Sequence, residues 1–170
     1  VSQATVTPVP ATTGLTADYT VDFSVGSSGA LQGGSSTITF TFNDSTGVAT
    51  QTISGATING VSAQGVADAA TRTVVFTVPA SVNVGNSGSV SAFIPSGVLT
   101  NPGTESSYTI DVKTSVEATD VTSYTYLITA ATTTVTAATV TPSPATANSA
   151  AQYTFAFDVG AEGALTAGAS

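Results

Sequence analysis

The stretch ADYTVDFSV at residues 17–25 decides the fold class. Successive side chains of a strand point to opposite faces, so Tyr19, Val21, Phe23 and Val25 fall on one side and Asp18, Thr20, Asp22 and Ser24 on the other. This two-residue period predicts a strand with one face in a core and the other in water. The pattern returns as AQYTFAFDV at residues 151–159, with Tyr153, Phe155, Phe157 and Val159 in the inward places. Working outward, a shift of 134 positions lays residues 1–36 on 135–170 without a gap, and 20 of the 36 positions are identical. ATVTPVPAT at 4–12 comes back as ATVTPSPAT at 138–146. Self-similarity at a fixed period is the mark of a tandem array, and one period of 134 residues suits one domain.

The same alternation recurs between the copies. Ile38, Phe40 and Phe42 alternate with Thr37, Thr39 and Thr41, and Val74, Phe76 and Val78 with Thr73, Val75 and Thr77. Tyr108, Ile110 and Val112 alternate with Thr109, Asp111 and Lys113, and Tyr124, Tyr126 and Ile128 form a late strand. Turn chemistry separates these runs. Asn59-Gly60, between Thr57-Ile58 and Val61-Ser62, is a type I′ hairpin signal because both residues tolerate positive φ. Residues 43–47, 85–88 and 101–103 are further turns. No long segment carries a 3.6-residue period, and residues 66–70 have room for one helical turn at most. Short strands with turns between them, about eight to ten per period, predict an all-β immunoglobulin-like β-sandwich rather than a closed barrel.

The expected organisation is therefore a complete repeat at residues 1–137 and the first two strands of the next at 138–170. Pro8-Val9-Pro10 and Pro142-Ser143-Pro144 stand at matching places. Proline fixes φ and cannot donate to a ladder, so each PxP step makes a stiff, extended entry into the first strand pair. Two strands alone are marginal in water. Tyr153, Phe155 and Phe157 are thus expected to form an assembly strand, covered by other segments of the chain or by a neighbouring subunit.

Composition removes most chemistry before any motif is sought. Charged residues make up 7% of the chain, ten acidic and two basic, for a net charge of −8. With Arg72 and Lys113 the sole cations, neither a nucleic-acid interface nor a polybasic membrane patch can be built. No apolar run approaches the length of a membrane span. Lacking His and Cys, the chain cannot assemble a Ser-His-Asp triad, a thiolate nucleophile or a typical zinc site. Glycine-rich residues 26–34 have no following helix and no lysine, so they read as turn rather than phosphate cradle. Two carboxylates can hydrolyse a glycosidic bond, but the acids are scattered and no pair stands out by spacing. No catalytic residue is expected.

Calcium is the one metal an acidic, oxygen-rich surface would suit, with Asp44 and Asp120 as the candidate ligands beside Asn43 and Glu117. No EF-hand or nonapeptide spacing accompanies them, and an Asx turn accounts for Asn43-Asp44 equally well. Asn43-Asp44-Ser45 also matches the N-glycosylation acceptor pattern, and residues 132–136 offer hydroxyls for O-linked sugars. Lys113 alternates outward with Asp111, which favours a solvated lysine over a buried crosslinking one. Thr37, Thr39 and Thr41 suit any exposed strand face, so they do not single out an ice-binding ladder.

ATVTPSPAT, AQYTFAFDVGAEGALTAGAS (151–170), STITFTF (36–42), GVLTNPGT (97–104) and SYTIDVKTS (107–115) carry a further likeness. Together they resemble tandem immunoglobulin-like repeats of bacterial and archaeal cell-surface proteins, of surface-layer, sheath or extracellular-fibre type. The resemblance covers nearly the whole period, and its motifs are strand and turn signatures, so no active site comes with it. It implies a secreted, extracellular structural protein that associates with its own copies or repeats, bearing glycans in some cases. The alternative it leaves open is the stalk of an adhesin or carbohydrate-binding surface protein. Scarcity of lysine departs from the pattern and weighs against lysine-based anchoring.

Overall fold

The structure, a computed structural model, describes residues 1–43, 45–160, 163 and 165. It is all-β and divides into two compact units, Val1–Ala130 and Ala131–Ser170.

The first unit is built on two antiparallel six-stranded sheets. One runs β1 (Thr5–Val9), β2 (Thr16–Ser24), β10 (Ser89–Thr100), β6 (Thr57–Ile58) and β7 (Val61–Ser62), with β4 (Gly47–Val48) also paired to β10. The other runs β13 (Val121–Thr122), β12 (Ile110–Thr114), β3 (Thr37–Phe42), β9 (Thr73–Thr77), β8 (Gln64–Asp68) and β5 (Gln51–Ile53). A separate ribbon joins β11 (Ser106–Tyr108) to β14 (Tyr126–Ile128). The strand segments are thus more numerous and shorter than the sequence predicts, because bulges and turns break several alternating runs. In β10 the pairing with β2 shifts register between Ile94 and Leu99, and Gly97 there has φ of 89°.

Alternation places the core. In β2, Ala17, Tyr19, Val21 and Phe23 are buried while Asp22 faces water, and in β3 Ile38, Phe40 and Phe42 are buried. Aromatic rings from the two sheets meet edge to face: Tyr19 on Phe42 at 5.9 Å between centroids, and Phe23 on Phe40 at 6.4 Å. Those contacts join the inner faces into one apolar cluster. Burying each large apolar side chain there contributes about 1.5–3 kcal/mol. The Asn59-Gly60 reading holds in detail, since β6 pairs β7 with Ile58 opposite Val61, and φ is 50° at Asn59 and 77° at Gly60. Residues 64–68 form a strand paired to β9, where a helical turn was the most the sequence allowed. Tyr124 lies outside β14 and is exposed, its N–H donating to the Ala4 carbonyl at 2.9 Å.

The second unit is one antiparallel hairpin, β15 (Val135–Ser143) and β16 (Gln152–Val159). Its first strand begins at Val135, so residues 135–137 pair with the second copy's strands.

Candidate interaction surface

The hairpin repeats the register of the first. In the first unit Thr5 lies opposite Asp22, Val6 opposite Val21, Pro8 opposite Tyr19 and Val9 opposite Asp18. In the second, Thr139 lies opposite Ala156, Val140 opposite Phe155, Pro142 opposite Tyr153 and Ser143 opposite Gln152. Every one of these pairs is the earlier one displaced by 134. The Val9–Pro10 and Ser143–Pro144 peptide bonds are both cis.

What differs is burial. Tyr19, Val21 and Phe23 are 0%, 0% and 5% exposed, whereas Tyr153, Phe155 and Phe157 are 59%, 67% and 47% exposed. Val140 and Val135, across the hairpin on β15, are open as well. Because β16 alternates, its three aromatics share one face, and Val140 and Pro142 lie directly opposite two of them on the same side. The result is a contiguous apolar face of the kind that marks an interaction site rather than a scatter of surface hydrophobes. Among the described residues β16 pairs with β15 alone, so its other edge presents an unpaired row of backbone groups.

Polar groups in the first unit show how the matching hairpin is held. Asn101, 2% exposed, accepts a hydrogen bond from the Tyr19 hydroxyl at 2.6 Å and donates from Nδ2 to the Pro10 and Thr12 carbonyls, each at 2.8 Å. One side-chain amide thus ties the PxP entry to the core. Glu117 performs a similar task at the opposite end of the strand pair. Its carboxylate accepts from the Gly26 N–H at 3.1 Å and pairs with the Val1 ammonium at 3.0 Å. Burial alone would raise its pKa, but the Gly26 hydrogen bond and the ammonium outweigh that and hold it below the usual value. Sequence reading missed both roles. Asn101 stands in a turn-like Asn-Pro-Gly, and its partners are far away along the chain.

The remaining candidates do not converge. Asp120 pairs with Lys113, its Oδ1 3.2 Å from Nζ, and Asp111 accepts from the Thr122 hydroxyl at 2.7 Å. Asp68 closes its own turn on the Ala70 N–H and the Thr71 hydroxyl. Asn43 uses Oδ1 to accept from the Ser45 N–H at 3.1 Å and the Thr46 hydroxyl at 3.3 Å, the Asx-turn geometry. Asp44, the other calcium candidate, lies outside the described residues. Among those described, no three acidic side chains gather as a metal would require. Nor is any helix long and apolar enough to cross a membrane.

No family model matches the chain. No curated protein matches it either. The crystal structure of BslA, a bacterial hydrophobin, is similar with a TM-score of 0.44 and 13% identity, covering 75% of this chain and 91% of that one.

Proposed function

We propose that this chain is a structural repeat of an extracellular surface assembly, an immunoglobulin-like β-sandwich recurring every 134 residues in a fibre, sheath or surface layer. The observation that carries this reading is the hairpin formed twice in one register, buried in one copy and open in the other. A chain that repeats a folding unit and leaves an apolar face of the next open is organised to associate with copies of itself. Its acids support the same view, since Glu117, Asp120, Asp111 and Asp68 are spent on loops and strand pairs. The role is then mechanical and steric. Cross-strand threonines and a dense ladder resist shear, and two cations in 170 residues leave trypsin-like proteases little to cut.

Electron microscopy of the native surface and of the purified protein tests this. Ordered filaments or a lattice are expected, with one density repeat per 134 residues of chain. Isolated particles that never associate would refute the reading, and a thin shaft carrying a distinct terminal domain would favour the adhesin stalk instead.

A further inference from the structure

The exposed face of the β15–β16 hairpin has a defined counterpart within this molecule, and that counterpart specifies what covers it. We infer that the hairpin is a docking surface for a sandwich body with the chemistry of residues 37–130, carried in the same polypeptide. The inference goes beyond the structural role proposed above and does not depend on fibre formation.

Three features of the first unit describe the occupant. Its edge strand is a β10 equivalent, since β10 pairs along β2 with Val90 opposite Phe23, Ala92 opposite Val21 and Ile94 opposite Tyr19. The corresponding edge of β16 is the one left unpaired among the described residues. Its facing layer is aromatic: Phe42 and Tyr126 stand edge-on to Tyr19, at 5.9 and 6.1 Å. Its third feature is a side-chain amide. In the first unit Asn101 sits against Tyr19, Pro10 and Thr12. In the second unit the matching residues, Tyr153, Pro144 and Thr146, line a cleft of about 230 Å³. That cleft is the seat an Asn101 equivalent would fill, with an acceptor for the tyrosine hydroxyl and donors for the carbonyls.

A separate copy is the weaker occupant on energetic grounds. Its body already holds its own β1–β2 hairpin, so trading hairpins between copies uncovers one apolar face for each it covers. A body carried in cis and lacking its own first hairpin has no such debt, and its tether raises the effective concentration.

The chain has no cysteine, so one introduced thiol reports accessibility at one place. Ala4 is fully buried and its counterpart Ala138 is exposed, and Ala→Cys is a small change at both. Thiol labelling of Ala138→Cys would be compared in the 170-residue chain and in a chain extended after Ser170 by a second copy of residues 37–130. The expected result is fast labelling in the first and labelling slowed by about a hundredfold or more in the second, approaching the rate at Ala4→Cys. A third chain, extended in the same way but with residues 1–36 replacing 135–170 and the cysteine at the same place, shows whether the added body folds. Protection in that chain without protection in the natural-hairpin chain would overturn the inference. So would protection of the unextended chain that grows with its concentration alongside dimers in sedimentation, because a second copy would then be the occupant.

Discussion

Replacing Asn101 by leucine tests the clamp that fixes the PxP entry to the core. The substitution keeps similar volume but removes an acceptor from the Tyr19 hydroxyl and two donors from the Pro10 and Thr12 carbonyls. A buried donor left unpaired costs about 1–3 kcal/mol, and each of the two lost carbonyl bonds about 0.5–1.5 kcal/mol net. Asn101→Leu should therefore destabilise the first unit by about 3–5 kcal/mol, a large part of the stability of an ordinary domain. Tyr19→Phe removes the hydroxyl and strands only Oδ1, so it should cost about 1–3 kcal/mol. The double variant leaves neither partner stranded. Its cost should fall short of the sum of the singles by about 1–2 kcal/mol, the coupling expected of groups in direct contact. Urea denaturation followed by far-ultraviolet circular dichroism gives all three numbers, with the slope m unchanged if only stability has moved. An Asn101→Leu cost below about 0.5 kcal/mol, or a double variant equal to the sum of its parts, would refute the clamp.

Truncating matched positions should give opposite results: Phe23→Ala costs about 3–5 kcal/mol in urea melts, while Phe157→Ala, at the exposed counterpart, changes the first unit by less than about 0.5 kcal/mol. At Gly65 an added Cβ would run into the ring of fully buried Phe76, so Gly65→Ala should lose about 1–3 kcal/mol, whereas Gly85→Ala, with open space around it, should be near neutral by the same measurement. Burial pushes the pKa of Tyr19 far above its ordinary value, with the nearby Tyr126 adding to the shift, and burial raises Tyr126 as well. A tyrosine that ionises more readily unfolded than folded contributes stability that is complete below the unfolded pKa of about 10 and is lost as pH rises above it. Tyrosinate absorbance during an alkaline titration should accordingly show these two hydroxyls ionising only together with unfolding, while exposed Tyr124 ionises beforehand.

Much of the fold can be read where one periodicity acts alone. The alternation of Tyr19, Val21 and Phe23 predicts β2 and its buried face, and Asn59-Gly60 predicts the β6–β7 turn, because both signals are local. Residues 66–70 are harder. Val66 points outward and Ala67 inward, a strand pattern too short and too small-sided to recognise until β9 supplies the pairing. Tyr124 matches the alternation of Tyr126 and Ile128, yet the chain leaves the strand before reaching it, and only the position of the Ala4 carbonyl explains why. The clamp lies further still from local reading. Asn101 has the residue type of a turn, and its role depends on Tyr19 and Pro10 arriving from a distant part of the chain. The open hairpin, by contrast, was legible from the repeat. Sequence identity carries the register across 134 positions, and the structure adds the cleft beside Tyr153 that sequence could not show.

The central claim is that residues 135–160 fold as a second copy of residues 1–26, and cross-strand proton contacts in the 170-residue chain measure it directly. Nuclear Overhauser contacts should connect Val140 with Phe155 and Pro142 with Tyr153, matching Val6 with Val21 and Pro8 with Tyr19. A register slipped by one residue, which would turn Phe155 to the opposite face, or contacts absent throughout the second hairpin, would contradict it.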